Sequence, residues 1–187
     1  MKTKVMKTLV GAIAALLLVG MVPMEAKSQL FSVGQKDLNL GIGLGTYYGA
    51  RMAIPPISLS LDYGIKDDIG PGVIGIGGYF GFGVSKDRLY IHDYGWRFMD
   101  IMVGARGTYH IEFIDKLDTY AGIIVGLRFR NSGPYGTWPL EPKSYTDLFP
   151  NGGFFIGGKY YFQDNIAVFG ELGYSIAYLT LGVTFKL

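Results

Sequence analysis

The sequence predicts an all-β fold, an eight-stranded antiparallel up-and-down barrel that spans a membrane, and three observations predict it. Apolar residues alternate with small or polar ones in short segments that recur about every twenty residues, the pattern of extended strands with two unlike faces. The apolar face of each segment carries no charge, as a hydrocarbon solvent requires. Aromatic residues make up 15% of the chain and glycines number 29, a combination that suits strands curved into a closed wall.

The first residues are expected to lie outside that wall. Lys2, Lys4 and Lys7 precede an apolar run from Leu9 to Val22, and Ala26-Lys27-Ser28 supplies small residues at the spacing a signal peptidase reads. Cleavage is therefore expected after Ser28, with residues 1–28 as signal peptide and 29–187 as the barrel domain. The apolar run is short for a spanning helix. Residues 1–28 hold four of the 17 basic residues and one of the 15 acidic ones, so the remainder carries 13 against 14, a net charge of −1. No basic patch then argues for nucleic acid. The absence of cysteine excludes a lipid-anchored Cys, disulfides and thiolate metal sites.

Period-two segments between turn signals define the strands in order. The first, 37–48, turns Leu38, Leu40, Ile42 and Leu44 outward and Asn39, Gly41, Gly43 and Gly45 inward. The second, 57–65, turns out Ile57, Leu59, Leu61, Tyr63 and Ile65, with Ser58, Ser60, Asp62 and Gly64 inward. The polar turn Lys66-Asp67-Asp68-Ile69-Gly70 leads to the third, 73–84, with Ile74, Ile76, Phe80, Phe82 and Val84 outward. The fourth, 96–113, presents Met99, Ile101, Val103, Ala105 and Tyr109. After a turn at Asp115-Lys116, the fifth, 119–130, presents Ala121, Ile123, Val125, Leu127 and Phe129. The sixth, 153–162, presents Phe154, Ile156, Tyr160 and Phe162, and the seventh, 166–175, presents Ile166, Val168, Leu172 and Tyr174. The last ten residues form the eighth, with Leu179, Leu181, Val183, Phe185 and Leu187 outward.

Charge is segregated to the other column. Asp62, Asp100, Arg106, His110, Glu112, Arg128, Arg130, Lys159, Glu171 and Lys186 all fall inward. A soluble sandwich would crowd its outer face with Lys and Glu; here glycine fills many polar-side positions, as a narrow interior requires. The turns near 66–72, 114–118 and 163–165 are short, while the opposite connections near 49–56, 85–95 and 131–152 are long. The connection near 176–177 is expected to be tight. Short turns on one side and long loops on the other are the layout of spanning barrels, with the short side periplasmic.

On these strands the chain resembles the small outer-membrane β-barrel proteins of Gram-negative bacteria, the OmpA/OmpX-type porin-like barrel domain, over about residues 30–187. The resemblance implies a bacterial outer-membrane location, contact with outer-membrane lipids, and handling of the final strand by the barrel-assembly machinery. In that family the closing residue is often aromatic; here Phe185 is followed by Lys186 and Leu187.

Two sets of residues are candidates for function. The first is a lumen charge network of Asp62, Asp100, Arg106, Glu112, Arg128, Arg130, Lys159 and Glu171. Turn positions suggest Lys159 opposite or diagonal to Glu171 and close enough to pair, Arg130 towards Asp100, and Arg106 reaching across the lumen to Asp62. Eight strands leave little free bore, so a paired plug is expected, with a narrow porin-like channel as the alternative. The second set is an outer loop, 131–152, whose Tyr135, Trp138, Tyr145 and Phe149 stand among Pro134, Pro139, Pro142 and Pro150. It is expected to present aromatic anchors to an extracellular ligand, or to place them in the aromatic girdle, with Asp87, Arg88, Tyr90, His92 and Trp96 as the adjacent rim. A barrel enzyme modifying lipid A through Ser, His and an acid is the remaining alternative. Its requirement is weakly met, because His92 and His110 are far apart in sequence and neither needs to contact a nucleophile. The strings GIGLG and GIGGYFGFG do not open a helix or end in Lys-Ser/Thr, so they are not phosphate loops. No cofactor and no metal is called for.

Overall fold

The computed structural model describes residues 30–45, 51–88, 94–138 and 142–187. Eight strands, β1 (Lys36–Leu44), β2 (Arg51–Ile69), β3 (Gly72–Arg88), β4 (Gly95–Ile114), β5 (Leu117–Tyr135), β6 (Tyr145–Gln163), β7 (Ile166–Gly173) and β8 (Leu179–Lys186), pair antiparallel with their sequence neighbours. β8 returns to β1, Asp37 opposite Lys186 and Leu44 opposite Leu179, and closes the barrel. Closure leaves no strand edge open along the part of the wall where β1, β7 and β8 run, the condition for a sheet in lipid.

The pleat sorts side chains as the alternation predicts. Leu40, Ile42, Leu59, Ile76, Val103, Val125, Phe154, Ile156 and Leu181 are exposed on the outside, whereas Asn39, Asp62, Arg106, Arg128, Lys159 and Thr184 are buried within. Such an outer wall, apolar from strand to strand, is stable against hydrocarbon and not against water. At one end the connections β2–β3, β4–β5 and β6–β7 are two residues each, Gly70-Pro71, Asp115-Lys116 and Asp164-Asn165. Two of them need a left-handed residue, supplied by Gly70 (φ 67°) and Lys116 (φ 66°).

Several boundaries differ from the sequence expectation, for identifiable reasons. β2 begins at Arg51, not 57, because the ladder passes through Pro55 and Pro56 with register shifts between Met52 and Ile57. A bulge absorbs prolines that otherwise read as loop. The expected loop 131–152 is mostly strand: Pro134 lies opposite Trp96 and Pro150 opposite Leu127, inside the ladders that carry β5 to Tyr135 and β6 back from Tyr145. The tight turn expected at 176–177 is instead a bend over residues 174–178, and β7 stops at Gly173. The far end of the expected first strand, 46–48, the expected signal peptide, Tyr90, His92 and Pro139 lie outside the described residues.

Strand lengths are uneven. β2 to β6 have 17–20 residues, whereas β1, β7 and β8 have 8 or 9. A 19-residue strand tilted by about 40° rises roughly 48 Å, against an apolar band of about 25 Å. The long strands therefore overshoot the membrane. The last pair of β6 with β7 is Phe155 with Gly173, so Tyr145–Phe154 stand above it as part of a raised sheet, with the low wall of β7, β8 and β1 opposite.

Candidate functional site

The interior is layered, and its middle is an ion lattice. Asp62 of β2, Gly77 of β3 and Arg106 of β4 share one row of the sheet. A Cβ on Gly77 would strike the Leu61 carbonyl, and without a side chain there Arg106 passes over β3 to place Nε 2.7 Å from Asp62 Oδ1. The same guanidinium then crosses the lumen, Nη2 donating to Glu171 Oε1 at 2.8 Å and Nη1 to Ser60 Oγ at 3.0 Å. Lys159 reaches from β6 to the opposite wall, 2.8 Å from Asp37 Oδ2 and 3.3 Å from Asp62 Oδ2. Tyr161 and Tyr120 donate to Asp37 and Glu171, at 2.8 and 2.9 Å, and Asn39 donates to Asp62 at 2.9 Å. Buried charges persist only when paired and hydrogen-bonded in this way.

Lys159 is thus paired with Asp37 and Asp62, not with Glu171 as the turn suggested. The register does place the two diagonally, Lys159 opposite Phe169 and Glu171 opposite Gly157, but the long lysine finds its partners across the narrow bore and Glu171 is taken by Arg106. Arg106 reaches Asp62 over one glycine of the wall, while its true cross-lumen partner is Glu171. The remaining members of the expected network sit elsewhere. Arg130 and Asp100 form a two-pronged pair near the outer rim, 2.8 and 3.1 Å. Arg128 donates to the Ser175 carbonyl at 2.6 Å. Glu112 accepts the Leu30 N–H at 3.0 Å at the short-turn end.

Above the lattice lies an apolar layer absent from the sequence reading. Tyr79, Met102, Tyr120, Ile124 and Phe155 pack with Ile176 and Ala177, which the bend 174–178 folds into the bore. The Phe155 ring fits because a Cβ on Gly122 would collide with it, while one on Gly173 would strike the Phe154 carbonyl and the Phe155 Cβ, and the ring faces Arg106 at 4.5 Å. Below the lattice, residues 30–35 turn into the short-turn mouth. Phe31 is 2% exposed and stacks on His110 at 3.9 Å. Backbone bonds Gly34 N–H to Gly64 O and Gly64 N–H to Gln35 O hold the segment, and a Cβ on Gly64 would meet the Ser32 carbonyl. Lys186 Nζ donates to Leu30 O at 2.9 Å.

His110 Nδ1 lies 2.8 Å from Asp118 Oδ2 and Nε2 3.0 Å from Thr108 Oγ1. The order hydroxyl, imidazole, carboxylate is that of a nucleophile relay. Its ring is sealed between Phe31 and Tyr120, leaving His110 2% exposed and no face open to a substrate. Among the described residues no three His, Asp or Glu side chains are grouped to hold a metal ion.

The four outer aromatics do not form one loop surface. Tyr135 ends β5 on the outer face, with Lys86 Nζ 5.3 Å from its ring centre. Tyr145 and Phe149 belong to the inner face of β6, Tyr145 edge-on to Trp96 at 5.6 Å and Phe149 5.8 Å from the Arg130 guanidinium. Trp138 packs at a tilt against Tyr94 at 4.4 Å and meets Trp96 edge-on at 5.8 Å. The cluster that does form is Tyr94, Trp96, Trp138 and Tyr145, in which Trp138 and Tyr145 belong to the expected binding set, Trp96 to its adjacent rim and Tyr94 to neither. Their link is visible only once β4, β5 and β6 are known to rise together.

A closed ring of eight strands with an apolar outer wall and buried charged and polar side chains on its inner face defines a transmembrane β-barrel, and the chain has the fold of the small outer-membrane barrels. It is similar in structure to Neisserial surface protein A, with a TM-score of 0.50 and 14% identity over 82% of this chain and 95% of that one. It also resembles the N-terminal barrel domain of Pseudomonas aeruginosa OprF (TM-score 0.48, 15% identity, 83% and 98% covered). A third similar structure is Ail, the attachment invasion locus protein of Yersinia pestis, in complex with the heparin analogue sucrose octasulfate (0.47, 12%, 82% and 96%). No protein-family model and no curated protein sequence matches the chain.

Proposed function

We propose that this protein is a non-enzymatic integral outer-membrane barrel whose lumen is plugged by its own side chains, with an envelope-structural role or a binding role carried by the raised sheet on its long-strand side. One observation carries the reading: the bore is obstructed at three successive levels, by Phe31, by the Arg106 and Lys159 lattice, and by the Ile176 layer. The middle level joins strands on opposite walls, and the levels on either side of it are filled by the segments 30–35 and 174–178, so no single rotamer change clears a path. Residues 1–28 act as a cleaved export signal, the short-turn end faces the periplasm, and β8 is the strand presented to the assembly machinery.

Planar-bilayer recording tests this directly. Inserted protein is expected to give no discrete conductance steps; steps that change in size when Glu171 is replaced by Gln would favour the channel. The enzymatic alternative predicts altered lipid A mass spectra on overexpression, and an unchanged spectrum is expected here. A binding role is favoured by the Tyr94, Trp96, Trp138 and Tyr145 cluster, since half-exposed packed aromatics make good anchors for an extracellular partner.

A further inference from the structure

Three cations stand side by side on the outer face of the raised sheet. Arg51 of β2 is the direct cross-strand partner of Lys86 of β3, and Lys86 is that of Arg97 of β4. All three are exposed. Like charges directly opposite on neighbouring strands repel one another, and no ion pair among the described residues includes any of the three. Asp87, the nearest carboxylate in sequence, belongs to the next row, opposite Trp96, and so points to the other face of the sheet. The row is unfavourable to the isolated fold.

Its height explains it. The next row outward-facing below is Ile54, Val84 and Met99; below that come Ile57, Phe82 and Ile101, then Leu59, Phe80 and Val103, each set in direct register across the same three strands. The cations are thus the first charged residues above three unbroken apolar columns. That is the level at which hydrocarbon gives way to headgroups on the long-strand side of the membrane. With strands about 4.8 Å apart, the three side chains cover a strip roughly 10 Å wide. Two guanidinium forks flanking an ammonium match phosphate oxygens better than they match a single carboxylate. Tyr135, beneath Lys86 Nζ, adds a ring of the kind that sits at headgroup depth.

We propose that Arg51, Lys86 and Arg97 form a binding site for the phosphate groups of an outer-leaflet glycolipid of the lipid A type. The site rests on the reading above that the barrel spans the outer membrane with its two-residue turns inside. Bound phosphate converts the mutual repulsion of the row into shared attraction, and fixes the depth of the barrel on one side of its wall.

The test uses the folded full-length mature protein and a variant with R51Q, K86Q and R97Q together, each mixed in detergent with bisphosphorylated lipid A, dephosphorylated lipid A, phosphatidylglycerol or inorganic phosphate, and read by native mass spectrometry. The wild type is expected to retain bisphosphorylated lipid A at least about tenfold more tightly than the dephosphorylated form, and the triple variant to lose that preference. In lipid-free detergent the variant should unfold at an equal or higher urea concentration, because removing the row relieves repulsion. Equal retention by the two proteins, or indifference to the phosphates, would overturn the site. Competition by phosphatidylglycerol or inorganic phosphate at matching concentration would overturn its assignment to the glycolipid. Heat-modifiable migration and vesicle insertion are followed on the same samples. Failure there contradicts the membrane-barrel reading itself, whereas insertion without lipid A preference contradicts the phosphate site alone.

Discussion

Replacing Arg106 with methionine is expected to destabilise the barrel by about 3–5 kcal/mol, the range for removing one partner of a buried charge group. The substitution keeps most of the side-chain volume but leaves Asp62 without its 2.7 Å contact and Glu171 without its 2.8 Å one. Neither carboxylate reaches bulk water at that level of the bore. Tyr120 still donates to Glu171, and Asn39 and Lys159 still contact Asp62, so the fold should survive under mild conditions. Urea unfolding in phospholipid micelles, followed by the loss of the fast-migrating gel band, measures the effect. The neutralised combination R106M, D62N and E171Q should recover a large part of it, because the damage comes from unpaired charge and not from lost shape. A single-variant loss below about 1 kcal/mol would mean that water reaches the lattice.

Truncating Phe155 to alanine is the second large effect, again about 3–5 kcal/mol. Phe155 is 4% exposed and its ring fills a gap that Gly122 leaves open on the neighbouring strand, while its face lies 4.5 Å from the Arg106 guanidinium. Alanine removes the contacts of the apolar layer and one wall of the ion lattice together. Leucine, which keeps most of the volume, should lose under about half as much. Comparison of the two by equilibrium unfolding separates filling of the bore from the aromatic contact with Arg106. If alanine and wild type unfold together, Phe155 is not part of the plug.

The wall of this protein was legible in its sequence because lipid imposes a simple rule. Every outward column had to be free of charge over the depth of the hydrocarbon, and a period of two fixes which residues those are. The interior was legible only in part, because its partners are chosen by register and by shear across the bore. Arg130 and Asp100 share one row of adjacent strands and were readable from a turn; Lys159 with Asp37 joins residues 122 positions apart. Asp37, Asp118, Tyr120 and Tyr161 obey the same parity as their recognised neighbours Asn39, Arg128 and Lys159, and carrying the alternation to the strand ends would have found them. Phe31 and Ile176 had no such signal, since both enter the lumen from non-strand segments. The prolines misled for a physical reason: each removes a single ladder donor, which a long strand with a bulge tolerates at Pro55-Pro56.

The central claim, lipid outside and a solid interior inside, is tested most directly by thiol accessibility along the last strand. The chain has no cysteine, so single replacements at Thr180, Leu181, Val183 and Thr184 can be reacted with a charged, membrane-impermeant thiol reagent in vesicles and again after boiling in dodecyl sulfate. Leu181 and Val183 face outward, while Thr180 and Thr184 face inward and are 4% and 0% exposed. All four are expected to resist the reagent until boiled, two shielded by hydrocarbon and two by packing, with no alternation between them. Rapid reaction at 180 and 184 alone would reveal a water-filled pore, and rapid reaction at 181 and 183 would show that the outer wall does not face lipid.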